Sequence, residues 1–174
     1  MTTLSDQQPA ATPARRLRWN PRGLDAVGLA ARLLLGGVML VAGALKVAKP
    51  EVSARAVQAY QLLPFDLATY IGYGLPILEL VLGALLIAGL FTRTAAAVSG
   101  VLLVAFIVGI ASAWARGLSI DCGCFGEGGT IAPSETRYLE EILRDVGLLL
   151  CAAWLVIRPR TAYSLERTLF ADER

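Results

Sequence analysis

Residues 71–114 read IGYGLPILELVLGALLIAGLFTRTAAAVSGVLLVAFIVGIASAW. The stretch holds two apolar runs, Ile71 to Leu90 and Ala95 to Trp114. Each has about 20 residues, the length an α-helix needs to cross the hydrocarbon core of a bilayer. Only the turn around Phe91, Thr92, Arg93 and Thr94 separates them, which predicts an antiparallel hairpin of two spans. Its charged residues are Glu79 and Arg93.

Two further runs flank this hairpin, Ala26 to Val47 before it and Tyr138 to Ile157 after it. The expected fold class is all-α, an integral membrane four-helix bundle. The composition agrees: 56% of the 174 residues are hydrophobic, too many for the surface of a soluble domain this small. A net charge of +2 gives no argument for nucleic acid, and membrane lipid is the expected surrounding.

Residues 1–23 are polar, carry Pro9, Pro13 and Pro21, and read as a flexible tail. Residues 24–160 form the membrane domain, and residues 161–174 a second tail. A cleaved signal peptide fits poorly, because the apolar run starts late and continues through Lys46 without a small-residue cleavage pattern. Orientation follows from the basic residues near the span ends. Arg15, Arg16, Arg18 and Arg22, then Arg93, then Arg158, Arg160 and Arg167 mark one side. Lys49, Arg55, Arg116 and Arg137 mark the other, so the count is about two to one. Both termini are expected in the cytoplasm of a multi-pass cell-membrane protein, with the loop between the third and fourth spans outside. The segment Val52 to Leu62 is expected to form a short helix on the membrane surface, stopped by Pro64.

Ionisable residues inside a bilayer face the bundle interior or snorkel to the headgroups. On the first span, Arg32, Gly36, Gly43 and Lys46 fall within about 80° of one another. On the second, Gly72, Pro76, Glu79 and Gly83 form a similar stripe. Small residues beside a charge predict close packing with the charge turned inward. Glu79 and Arg144 lie about 12 Å and 9 Å below the outer ends of their helices, so they are expected to pair. Lys46 is a second partner from above; Asp145 points elsewhere on the fourth helix and is the alternative partner for Lys46. Arg32 is expected to snorkel to the inner headgroups. One reading gives these charges to helix register alone. The other makes Lys46, Glu79 and Arg144 a polar pocket for a quinone headgroup or for proton transfer.

The loop Ser119-Ile120-Asp121-Cys122-Gly123-Cys124-Phe125-Gly126-Glu127-Gly128-Gly129 carries two of the three cysteines. As a redox pair, Cys122 and Cys124 close a small, strained disulfide of the kind that exchanges readily. Asp121 and Glu127 are expected to raise both thiol pKa values. A soft metal such as Cu(I) is a second reading, although the chain has no histidine to add a ligand. A structural clasp is the third. Cys151 lies about 20 Å below the outer end of its helix and reads as a buried structural thiol.

Arg32-Leu33-Leu34-Leu35-Gly36, Ala42-Gly43-Ala44-Leu45-Lys46 and Pro50 resemble the first span of the DoxX/MauE family. Leu75-Pro76-Ile77-Leu78-Glu79-Leu80 with Gly83 resembles the family's second span. Asp121-Cys122-Gly123-Cys124-Phe125-Gly126 is similar to its outer loop. The resemblance covers roughly Leu24 to Ile157 and implies a four-helix membrane bundle. It also implies a role beside a thioredoxin-like protein in maturing a disulfide-rich enzyme such as methylamine dehydrogenase, or a quinone-linked redox role. The bundle is similar to membrane oxidases that generate disulfides with two cysteine pairs; this chain has one.

The expected function is a membrane thiol–disulfide component that exchanges through Cys122 and Cys124 with an extracytoplasmic thioredoxin-like partner. The alternatives are a non-enzymatic assembly subunit with a structural Cys-Gly-Cys loop and a small transporter or metal-handling protein.

Overall fold

The computed structural model describes residues 21–124 and 128–159. The tail arginines Arg15, Arg16, Arg18, Arg160 and Arg167, and the loop residues Phe125, Gly126 and Glu127, lie outside the described residues. The chain forms α1 (Pro21–Val47), α2 (Pro50–Ala59), α3 (Phe65–Ala88) and α4 (Thr92–Ala115). The strands β1 (Ile120–Asp121) and β2 (Gly129–Thr130), a 3-10 turn (Pro133–Glu135) and α5 (Tyr138–Ile157) follow. The architecture is all-α and membrane-like. Three helical segments are long and apolar enough to span: Gly23–Val47, Phe65–Ala88 and Thr92–Ala115. Helix α5 runs beside them and has the predicted bounds, but carries Glu140, Glu141, Arg144 and Asp145 in its first two turns.

The long helices pack in the cyclic order α3, α1, α5, α4, each on the next. The core between them contains Leu35, Met39, Leu86, Leu103, Leu148 and Leu155. Outward-facing positions stay apolar, among them Leu34, Ile77, Val101, Val108 and Leu150. So much exposed apolar surface is stable against lipid and not against water.

The two small-residue stripes meet as expected. A Cβ on Gly83 would stand 2.8 Å from the Gly36 carbonyl oxygen, and one on Gly43 would stand 2.8 Å from that of Pro76. Side chains there would push α1 and α3 apart. Arg32 corrects an expectation. It is 2% exposed, buried among the helices and not reaching outward, because it shares the inward seam with Leu35, Gly36 and Met39.

Helix α2 is shorter than expected and packs on α3, burying Ser53, Ala54 and Ala56. Gly72 permits this approach, since a Cβ there would fall 2.4 Å from the Ala54 Cα. Pro76 inside α3 has no N–H to give the carbonyl four residues back, which is that of Gly72. The Ser53 hydroxyl donates to that carbonyl at 2.7 Å. The surface helix thus repairs the proline break and is fixed by it.

Candidate functional site

The Cys-Gly-Cys loop sits where α2, α4 and α5 converge. Its shape starts from local chemistry. The Asp121 carboxylate accepts a hydrogen bond from the Gly123 N–H at 2.8 Å, closing a tight turn. Gly123 takes φ 70°, which a residue with a Cβ adopts only under strain. The Cys124 N–H then points at the Cys122 Sγ, 3.4 Å away.

Three anchors hold this turn. The Tyr138 hydroxyl, at the start of α5, accepts from the Ile120 N–H at 2.9 Å and donates to the Leu118 carbonyl. The Tyr60 hydroxyl, at the end of α2, donates to the Cys122 carbonyl at 3.1 Å. The Arg116 guanidinium donates to the Tyr60 carbonyl, locking the end of α2 to the end of α4. On the far side of the loop, Gly128 lies on α2 so closely that a Cβ would fall 2.5 Å from the Ala56 Cβ. Burial, then the nearby thiols and carboxylates, pushes the Tyr60 phenol well above its ordinary range, which keeps it a donor.

Below the loop lies a charge cluster. Lys46 Nζ donates to Glu79 Oε1 at 2.6 Å, with both side chains almost fully buried. Arg144 pairs with Asp145 at 2.9 Å. The expected Glu79–Arg144 pair is therefore replaced by two pairs, Lys46–Glu79 and Arg144–Asp145. Asp145 corrects a second expectation. It lies on the inward face of α5 with Leu148, Ala152 and Leu155, at helical spacing. That periodicity was the signal that could have found it.

Cys124, Glu79, Arg144 and Asp145 line one cavity, walled by apolar side chains that include Met39 and Phe106. The loop thiol is thus the roof of the buried cluster. The cavity measures about 20 Å³, room for one water molecule.

The two thiols are not equivalent. The hydrogen bond between them favours ionisation of Cys124, and Arg144 and Lys46 reinforce this, so the Cys124 thiol lies below its ordinary range. Burial and Asp145 oppose that shift. Cys122 is pushed up by the same hydrogen bond, by burial, and by the charges of Cys124 and Glu141. Asp121 and Glu127 were expected to raise both thiols; Cys122 is raised instead by its hydrogen bond to Cys124 and by burial, with Glu141 adding to this, and Cys124 is lowered. Cys122 is half-buried and Cys124 is buried. Glu141, which the sequence reading did not place here, faces Cys122 from the first turn of α5. Cys151 packs far from this pair, against the apolar core.

No curated protein and no solved structure matches the chain. The family model described as methylamine utilisation protein MauE matches residues 24–158, from the start of α1 through the end of α5. A membrane-embedded bundle with a built Cys-Gly-Cys turn over buried charges is thus the form this sequence takes, and the chain belongs to the MauE family.

Proposed function

We propose that this protein is a membrane thiol–disulfide redox component, and that Cys122 and Cys124 accept electrons from an extracytoplasmic thioredoxin-like partner. The observation that carries the reading is the asymmetry of the pair. Cys122 is the more exposed of the two residues, and Cys124 is buried at the cavity that Arg144 also lines, over the Lys46–Glu79 pair. In the oxidised pair, a partner thiolate attacks Cys122 Sγ and Cys124 departs as a thiolate. A leaving thiol of lower pKa leaves faster, and a stabilised thiolate makes the disulfide more oxidising. The partner's second thiolate then attacks the mixed disulfide and releases Cys122, which takes up a proton. Two electrons pass from the partner, whose dithiol becomes a disulfide. Glu141 is placed to relay the Cys122 proton.

In this reading, α5 is the fourth span, the termini are cytoplasmic and the loop faces an oxidising compartment of the cell membrane. Family membership supports work in methylamine utilisation, where a disulfide-containing enzyme must mature.

The test is thiol trapping in cells. With a partner that lacks its second thiol, the wild-type pair is expected to be trapped as a mixed disulfide through Cys122, and Cys122→Ser and Cys124→Ser, which cannot close the disulfide, are expected to leave the partner's thiols reduced. If the wild-type pair never changes redox state in defined redox buffers, the exchange reading is wrong. The dense anchoring by Tyr60, Tyr138 and Gly128 favours the second reading, an assembly subunit with a structural loop. That reading gains if both serine variants keep full function.

A further inference from the structure

The cavity under Cys124 contains more acid than base. On the side of α1 stands Lys46, on α3 Glu79, and on α5 Arg144 and Asp145; α4 contributes only the apolar Leu103 and Phe106. Above them the loop brings Cys124, then Cys122 with Asp121, while Glu141 and Tyr60 face the Cys122 side. Among the described residues, two cations thus face three acids: Glu79, Asp145 and Cys124. Each carboxylate spends one oxygen on its cation. The other oxygens, Glu79 Oε2 and Asp145 Oδ2, are fully buried and have no hydrogen-bond partner among the described residues. The two side chains are 1% and 3% exposed, and both line the cavity. Buried acceptors left without a donor are rare and costly. A proton, or a water in a space of this size, removes that cost.

The charge count depends on redox state. When Cys122 and Cys124 are a disulfide, Lys46 and Arg144 balance Glu79 and Asp145. When Cys124 leaves as a thiolate, a third negative charge appears above the same two cations. An uncompensated charge in an apolar interior is strongly unfavourable, so the cluster must take up one proton. We propose that the Lys46–Glu79–Arg144–Asp145 cluster is a redox-linked proton site, in which reduction of the Cys122–Cys124 disulfide draws one proton onto the free carboxylate oxygen of Glu79 or Asp145. This rests on the exchange reading above. The balance closes with the partner alone: its dithiol supplies two electrons and two protons, one proton going to Cys122 and one to the cluster. Cys124 then stays ionised and ready to leave again.

The experiment is a reduced-minus-oxidised infrared difference spectrum of the full chain in lipid nanodiscs, in H₂O and in D₂O. On reduction a protonated-carboxyl C=O band is expected to appear and to shift down in D₂O. Asp145→Asn or Glu79→Gln should abolish it, and Glu140→Gln, in the exposed Arg137–Glu140 pair, should leave it in place. Oxidation and reduction are followed in the same sample by thiol trapping. If the pair cycles but no carboxyl band appears, and S–H bands for both thiols appear instead, the proton-site inference is overturned and the exchange reading stands. If the pair does not cycle at all, both fall. The wild-type D₂O comparison needs no variant, so a substitution that fails to fold does not rescue the idea.

Discussion

Ser53→Ala tests how the platform under the loop is built. The hydroxyl of Ser53 is the donor that the Gly72 carbonyl has in place of the N–H missing at Pro76. Ser53 is 4% exposed, so water does not replace it freely. Leaving one buried carbonyl unsatisfied costs about 1–3 kcal/mol. The same change in a Pro76→Ala background should cost about 0.5 kcal/mol or less, because a restored N–H at position 76 then satisfies the carbonyl. The coupling is therefore expected to be at least ~1 kcal/mol and to have one sign: Pro76→Ala protects against Ser53→Ala. Reversible unfolding in mixed detergent micelles measures all four corners of this cycle. A second readout follows from the anchors. Helix α2 supports the loop through Tyr60 and Ala56, so loosening it should speed alkylation of Cys124 in Ser53→Ala and not in the double variant. Equal losses in the two backgrounds, or a Ser53→Ala protein as stable as wild type with unchanged alkylation, would refute the repair argument.

Four more outcomes are expected from the same geometry. The lowered Cys124 thiol should be alkylated at a pH where an ordinary thiol is inert, and the raised Cys122 thiol only well above that pH; mass-resolved alkylation against pH separates them. Arg144→Gln removes a cation that favours the Cys124 thiolate, so the Cys124 midpoint should move up and alkylation at fixed pH should slow. Tyr60→Phe deletes the 3.1 Å bond to the Cys122 carbonyl, an expected loss of ~0.5–1.5 kcal/mol that should appear as faster amide exchange at Gly123 and Cys124. Gly123→Ala forces a Cβ into φ 70° and should cost about 1 kcal/mol while slowing closure of the Cys122–Cys124 disulfide, measured by trapping during oxidation.

The hairpin of α3 and α4, the bounds of α5 and the inward stripes of α1 and α3 were all legible in the sequence. Each rests on a strong local signal: run length, or small residues recurring at helical spacing beside Lys46 and Glu79. What was not legible is which charge meets which. Depth along a helix is set by sequence, but rotation about its axis is set by the neighbours, and Asp145 faces inward because Leu148, Ala152 and Leu155 do. Arg32 was misjudged for the same reason, since snorkelling and burial have identical sequence signatures until α1 has a partner on that face. The cysteine pair shows the consequence for chemistry. Read along the chain, its neighbours are Asp121 and Glu127, and both thiols look hard to ionise. Read across the bundle, Cys124 has the cations Arg144 and Lys46 beneath it, contributed by α5 and α1, together with Asp145, while Cys122 faces Glu141. The contrast between two sulfurs one residue apart thus depends on the hydrogen bond the thiols share and on charges that α1 and α5 bring to one side of the loop.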